Sequence, residues 1–189
     1  MSAIDTREKI MAAARKTVQA HGYNALSFRD LAAEVGIKSA SVHYHFPTKG
    51  DLGAALARRY TEDGIAYLSN LMETHKDART RVKKYTEIFR AALVDDNRMC
   101  LCGIMSAEHH DLPPEVRAEV NRFNDVNVDW LTEVLTQGAA EAKPKKAVRR
   151  QAMSIFAAIG GAQLMARGHG DVTVYDEIID SYRHAGFTP

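Results

Sequence analysis

Two groups of residues in this 189-residue chain have types and spacings that could do chemistry. The first is Lys38, Ser39, Ser41, Tyr44 and His45, a short run of hydrogen-bonding side chains compact enough to enter a nucleic-acid groove and meet base edges. The second is the MCLCG stretch around Cys100 and Cys102, followed by Glu108, His109 and His110. A thiol at the start of a helix gains thiolate character and reacts with electrophiles and oxidants. Three other readings of the pair stay open: two small buried apolar residues, groups lining a ligand, or metal ligands. Cys-x-Cys followed by His-His is not a usual zinc spacing, so no metal is expected. An enzyme of the thiol oxidoreductase kind would pair Cys100 or Cys102 with His109 as base. The chain has no βαβ pattern, glycine-rich phosphate loop or paired-carboxylate motif to support catalysis, and no cofactor is expected.

The elements that must position these groups read as helices throughout, an all-α chain of about nine. Ile10, Ala13, Ala14 and Val18 form a stripe that stops at His21-Gly22. Ser27 caps a short helix carrying Phe28, Leu31, Ala32 and Val35, which Gly36 ends. Ser39 is the expected cap of a third, running to about His45. After Pro47, Thr48 and Asp51 have capping-box spacing, and the long fourth helix places Leu52, Leu56, Tyr60, Asp63, Tyr67 and Leu71 on one face. The fifth runs from about Ala78 to Asp95, the sixth from about Leu101 to His110, and the seventh follows Pro113-Pro114. Lys143-Pro144 opens the eighth, RGHGD at 167–171 closes it, and Val174, Ile178, Tyr182 and Ala185 stripe the ninth.

Composition is that of a folded globular chain, 46% hydrophobic and 26% charged, which argues against disorder. No stretch is long and apolar enough for a membrane span, and charges from Asp5 to Lys16 break any signal-peptide core, so a cytoplasmic address is expected. Residues 1–60 hold nine Lys/Arg against five Asp/Glu, a net +4, while the remainder holds 16 against 19, a net −3. A basic end on a mildly acidic body fits a chain with one end facing a polyanion.

Residues 27–46 have the dimensions of a helix-turn-helix: Ala32 is small where two helices cross, and Gly36 supplies the turn. The surrounding GYNALSFRDLAAEVGIKSASVHYHFPTKGDL (22–52) resembles the DNA-binding head of the TetR family of bacterial transcriptional repressors. Gly22, Ser27, Leu31-Ala32, Val35-Gly36-Ile37, Tyr44-His45-Phe46, Lys49 and Leu52 are in register, over about residues 4–64. The head is expected at 1–47, with the family-type domain reaching into the fourth helix, and a ligand-sensing and dimerisation bundle at 48–189. The resemblance implies a homodimer on double-stranded DNA at a palindromic operator, released when a small-molecule inducer binds the bundle. It makes Arg29 and Ser39, Ala40, Ser41, His43 and Tyr44 the groove-facing set, and Lys49 and Ser27 backbone contacts. His43 stands where the family usually has a phosphate-contacting Tyr, so part of the contact would depend on pH.

Tyr67, Tyr85, Phe89, Met99, Cys100, Cys102, Met105, His109, Phe123, Asn127, Trp130 and Gln163 are the expected ligand-pocket residues. Similar cysteines in some family members sense electrophiles, so a repressor triggered at Cys100 or Cys102 is the alternative signal. The eighth and ninth helices are the expected dimer interface, through Ile155, Ala158, Ile159, Ala162, Gln163, Ala166, Val174, Ile178 and Tyr182. Ala157, Gly160 and Gly161 leave room for another helix to approach.

Overall fold

Several helix boundaries are set by short-range chemical signals. The computed structural model describes residues 3–139 and 144–189; Lys143, expected at the start of the eighth helix, lies outside the described residues. The described elements are α1 (Ala3–His21), α2 (Phe28–Val35), α3 (Ser39–His45), α4 (Lys49–Thr74), α5 (Ala78–Val94), α6 (Leu101–Ala107), a 3-10 turn (His109–Asp111), α7 (Pro114–Gln137), α8 (Lys145–His169) and α9 (Val172–His184). There is no strand among the described residues.

Ser27 caps α2 by accepting from the Asp30 N–H, and Gly36 ends it in the left-handed conformation at φ 74°. The Thr48–Asp51 box forms in full. Thr48 N–H donates to Asp51 Oδ2, and Asp51 N–H donates to Thr48 Oγ1, both at 3.0 Å. Two local expectations change. Ser39 is the first residue of α3 rather than its cap; Lys38 holds the cap position with no side-chain bond. The sixth helix stops at Ala107, and His109 and His110 fall in the tighter turn that follows.

The described chain divides into two compact units: the residues up to Thr61 with Leu101–Phe123, and Glu62–Cys100 with Asn124–Pro189. In the first, α1 packs on α2, α3 and α6, around Ile10, Ala14, Val18, Leu31, Val42 and Phe46. The N-terminal half of α4 adds Leu52, Leu56 and Ala57, and α6 and α7 add Leu101, Met105, Val116 and Val120. In the second, α5, α8 and α9 pack on one another around Val82, Tyr85, Phe89, Ile155, Ile159, Ala166, Tyr175 and Ile179. Beyond Thr61, α4 buries Leu68 and Leu71 while Tyr67 and Asp63 face solvent. The expected face is therefore interrupted at Asp63 and Tyr67, while Leu52, Leu56 and Leu71 of the same stripe are buried.

Candidate nucleic-acid interface and core polar cluster

α3 is held by its underside and displays the rest. Val42 and Phe46 are buried, while Ser39, Ala40, His43 and Tyr44 are exposed. Tyr44 is 80% exposed, so its ring and hydroxyl are open to a partner. Ser41 and His45 are half-buried, and the His45 ring meets Tyr44 edge-on at 5.2 Å. His43 packs edge-on against Phe28 at 4.7 Å, with Nδ1 3.4 Å from the Pro47 carbonyl oxygen. Lys38 and Arg29 are exposed at the two ends of this surface, Arg29 pairing loosely with Asp30 at 3.3 Å.

Two expected backbone contacts already have internal work. The Ser27 hydroxyl is the α2 cap. Lys49, the first residue of α4, donates from Nζ to the Asn24 carbonyl at 3.0 Å and lies 4.7 Å over the Tyr23 ring. Burial pushes its ammonium pKa down, with the Glu108 carboxylate opposing the shift. Glu108 accepts from the backbone N–H groups of Tyr23 and Asn24, so it is a structural anchor of the first unit rather than a polar group of a ligand cavity. Nothing in its local sequence signals this, because its partners lie 84 and 85 residues away.

Of the twelve expected pocket residues, the second unit brings several together. Tyr85 lies 5.1 Å from the Trp130 ring at a 34° tilt and meets Phe89 edge-on at 5.2 Å. The Tyr85 hydroxyl donates to Asn127 Oδ1 at 2.8 Å, and burial, then Cys100 and Tyr175, push its pKa well above the ordinary value. Gln163 Oε1 accepts from the Cys100 N–H and its Nε2 donates to the Phe89 carbonyl. Trp130 Nε1 donates to the Leu68 carbonyl, and Met99 is buried. Tyr67, by contrast, is exposed. Cys102, Met105, His109 and Phe123 belong to the first unit, where three are buried and His109 is exposed.

Both cysteines are buried and outside any disulfide, which withholds them from dissolved reagents. No group of three metal-ligating side chains occurs among the described residues. A cleft of about 310 Å³ opens between α5 and α9, lined by Lys83, Glu87, Arg90, Asp176, Asp180 and Arg183 among others, none of them expected as pocket residues.

The expected dimer set needs correction. Ile155, Ile159, Ala162, Gln163 and Ala166 are buried in the second unit's own core, because they share the α8 face that meets α5 and α9. The opposite face of α8 is apolar and open. Met153, Leu164 and Met165 are 53%, 61% and 55% exposed, and a Cβ on Gly160 or Gly161 would meet nothing within 4 Å. Ala158 is half-buried, as are Val174, Ile178 and Tyr182 of α9, whose buried stripe is Tyr175 and Ile179.

Residues 10–56 match the family described as bacterial regulatory proteins, tetR family. A TetR transcriptional regulator from Legionella pneumophila is 30% identical and superposes with a TM-score of 0.87, over 94% of this chain and 95% of that one. A TetR-family regulator from Agrobacterium tumefaciens is 29% identical, with the same coverage and a TM-score of 0.86. The HTH-type nicotine-responsive transcriptional repressor HdnoR of Paenarthrobacter nicotinovorans is 23% identical over 96% of both chains. With its helix-turn-helix held by the α1–α2–α3 core and this likeness running the length of the chain, the protein belongs to the TetR family of transcriptional regulators.

Proposed function

We propose that the chain is a homodimeric repressor that binds a palindromic operator through α3 and leaves it when a small organic molecule enters the core of the second unit. The observation that carries the reading is α3 itself: Tyr44 and its polar neighbours stand exposed over buried Val42 and Phe46. Arg29, Lys38, His43 and Tyr44 are the groove-facing set, and Lys49 meets the duplex backbone with help from the positive end of the α4 dipole. A bacterial operator lies in the cytoplasm, so the proposed role places the chain there; separately, no described helix is long and apolar enough to cross a membrane.

The open apolar face of α8, with Gly160 and Gly161 beside exposed Met153, Leu164 and Met165, supports the dimer, α8 and α9 of each subunit forming a four-helix interface. The Tyr85–Phe89–Trp130 cluster, with Asn127 and Gln163 as its polar members, suits a mostly apolar ligand. A curated relative named as nicotine-responsive and as a repressor supports a small organic signal and the repressing sign. Triggering at Cys100 or Cys102 has less support, since both thiols are buried.

The test is selection of a duplex from a random pool by the wild-type chain, followed by Tyr44→Ala. Tyr44→Ala is expected to cost roughly 5- to 100-fold on the selected duplex and much less on a scrambled one, as loss of one base contact does. Equal losses on both duplexes would sink the base-contact role; no selection by the wild-type chain would sink DNA reading by α3.

A further inference from the structure

The turn between α1 and α2 is tied down by groups far away in the sequence. Gly22 leaves α1 at φ 89°, and the next two backbone N–H groups point to one carboxylate. Glu108 Oε2 accepts from Tyr23 N–H at 2.5 Å and Oε1 from Asn24 N–H at 3.2 Å. Consecutive N–H groups converging in this way form an anion-holding nest, here filled by the protein's own carboxylate. Asn24 is held a second time, donating from Nδ2 to Asp111 Oδ2 at 2.7 Å. A Cβ at Gly22 would lie 2.6 Å from Glu108 Oε1, so the glycine provides room as well as backbone freedom.

The other side of the same turn grips α4. The Asn24 carbonyl accepts from Lys49 Nζ, and the Tyr23 ring lies under that ammonium. The same ring lies against the α4 backbone, since a Cβ at Gly53 would come 2.6 Å from Tyr23 Cε2. Burial, followed by the Glu115 charge, raises the Tyr23 hydroxyl pKa to about 12, so the ring stays neutral. An ammonium has three donors; Asn24 takes one and the Tyr23 ring faces the group, which leaves donor capacity for an outside anion.

We propose that Glu108 is a positioning residue for DNA binding: by clamping the Tyr23–Asn24 turn it fixes the Lys49 ammonium where a duplex phosphate can take its remaining donors. The inference rests on the DNA-reading function proposed above. It differs from a purely structural anchor in one respect, because the effect of Glu108 on DNA must pass through Lys49.

The test is a double-mutant cycle on duplex affinity, using the selected and scrambled duplexes at two salt concentrations, at a temperature where circular dichroism shows each variant folded. Glu108→Ala is expected to weaken both duplexes alike by about tenfold and to lower the salt slope by about one ion, like Lys49→Met. In the Lys49→Met background the same change is expected to cost no more than about twofold. Glu108→Gln keeps the shape and one acceptor oxygen, so it is expected to fall between, and it replaces the alanine variant if that one does not fold. Wild-type affinity in both Glu108 variants, or equal losses with and without Lys49, overturns the proposal. Failure of the wild-type chain to select any duplex instead overturns the DNA-reading function.

Discussion

Gln163 sits fully buried in α8 and makes two hydrogen bonds to backbone groups 63 and 74 residues away in the chain. It ties the Cys100 N–H, just ahead of α6, and the Phe89 carbonyl, in α5, to one side chain. A buried amide is tolerated only when both its ends are satisfied, and here they are. Gln163→Leu leaves a buried N–H without its acceptor and is expected to cost about 2 kcal/mol or more in urea unfolding. Its partner at Cys100 also changes the reading of the thiols. Chain position alone places Cys100 and Cys102 near a helix start, where a thiolate would be favoured. Burial in the folded chain removes them from solvent, and no local pattern announces that.

At the scale of elements, the helix starts are the most legible feature because capping is a local reaction between side chain and backbone. Ser27, expected as a cap, accepts from the Asp30 N–H, and Asp77 and Asp171, not singled out from the sequence, accept in the same way from N–H groups three and two residues on. The Asp77 carboxyl is held below its usual range by the Thr80 backbone N–H, then by the Thr80 side chain, and the Asp171 carboxyl by the Thr173 hydroxyl, then its N–H. A carboxyl with a depressed folded pKa stabilises fully above its unfolded pKa of about 3.9 and loses that contribution as pH falls through the folded value. Asp77→Asn is therefore expected to flatten the acid limb of stability below about pH 4, with little change at pH 7, by thermal unfolding across pH. Faces were less legible than boundaries. On α4 the buried residue is Leu68 rather than Tyr67, and on α9 it is Tyr175 and Ile179 rather than Val174 and Ile178. A helix with apolar groups on two sides has two candidate inward faces, and only its neighbours choose between them.

For the whole chain, the same ambiguity has a consequence for assembly. The α8 sequence offers Ile155, Ile159 and Ala166 on one side and Met153, Leu164 and Met165 on the other. The fold spends the first set on its own core and leaves the second exposed. Leu164→Glu is accordingly expected to convert a dimer to a monomer in sedimentation at micromolar concentration while leaving the fold intact, whereas Ile159→Glu should unfold the chain. If Leu164→Glu sediments like the wild type, the exposed face of α8 is not the interface. The helices, the Ser27 and Thr48–Asp51 caps and the turn at Gly36 were determined by the sequence itself, because each depends on contacts within a few residues. Which face each long helix buries, where Glu108 seats and whether a cysteine meets water were decided only by tertiary structure. These depend on partners tens of residues away, such as the turn that closes on Glu108, and only the packed chain brings those groups within bonding distance.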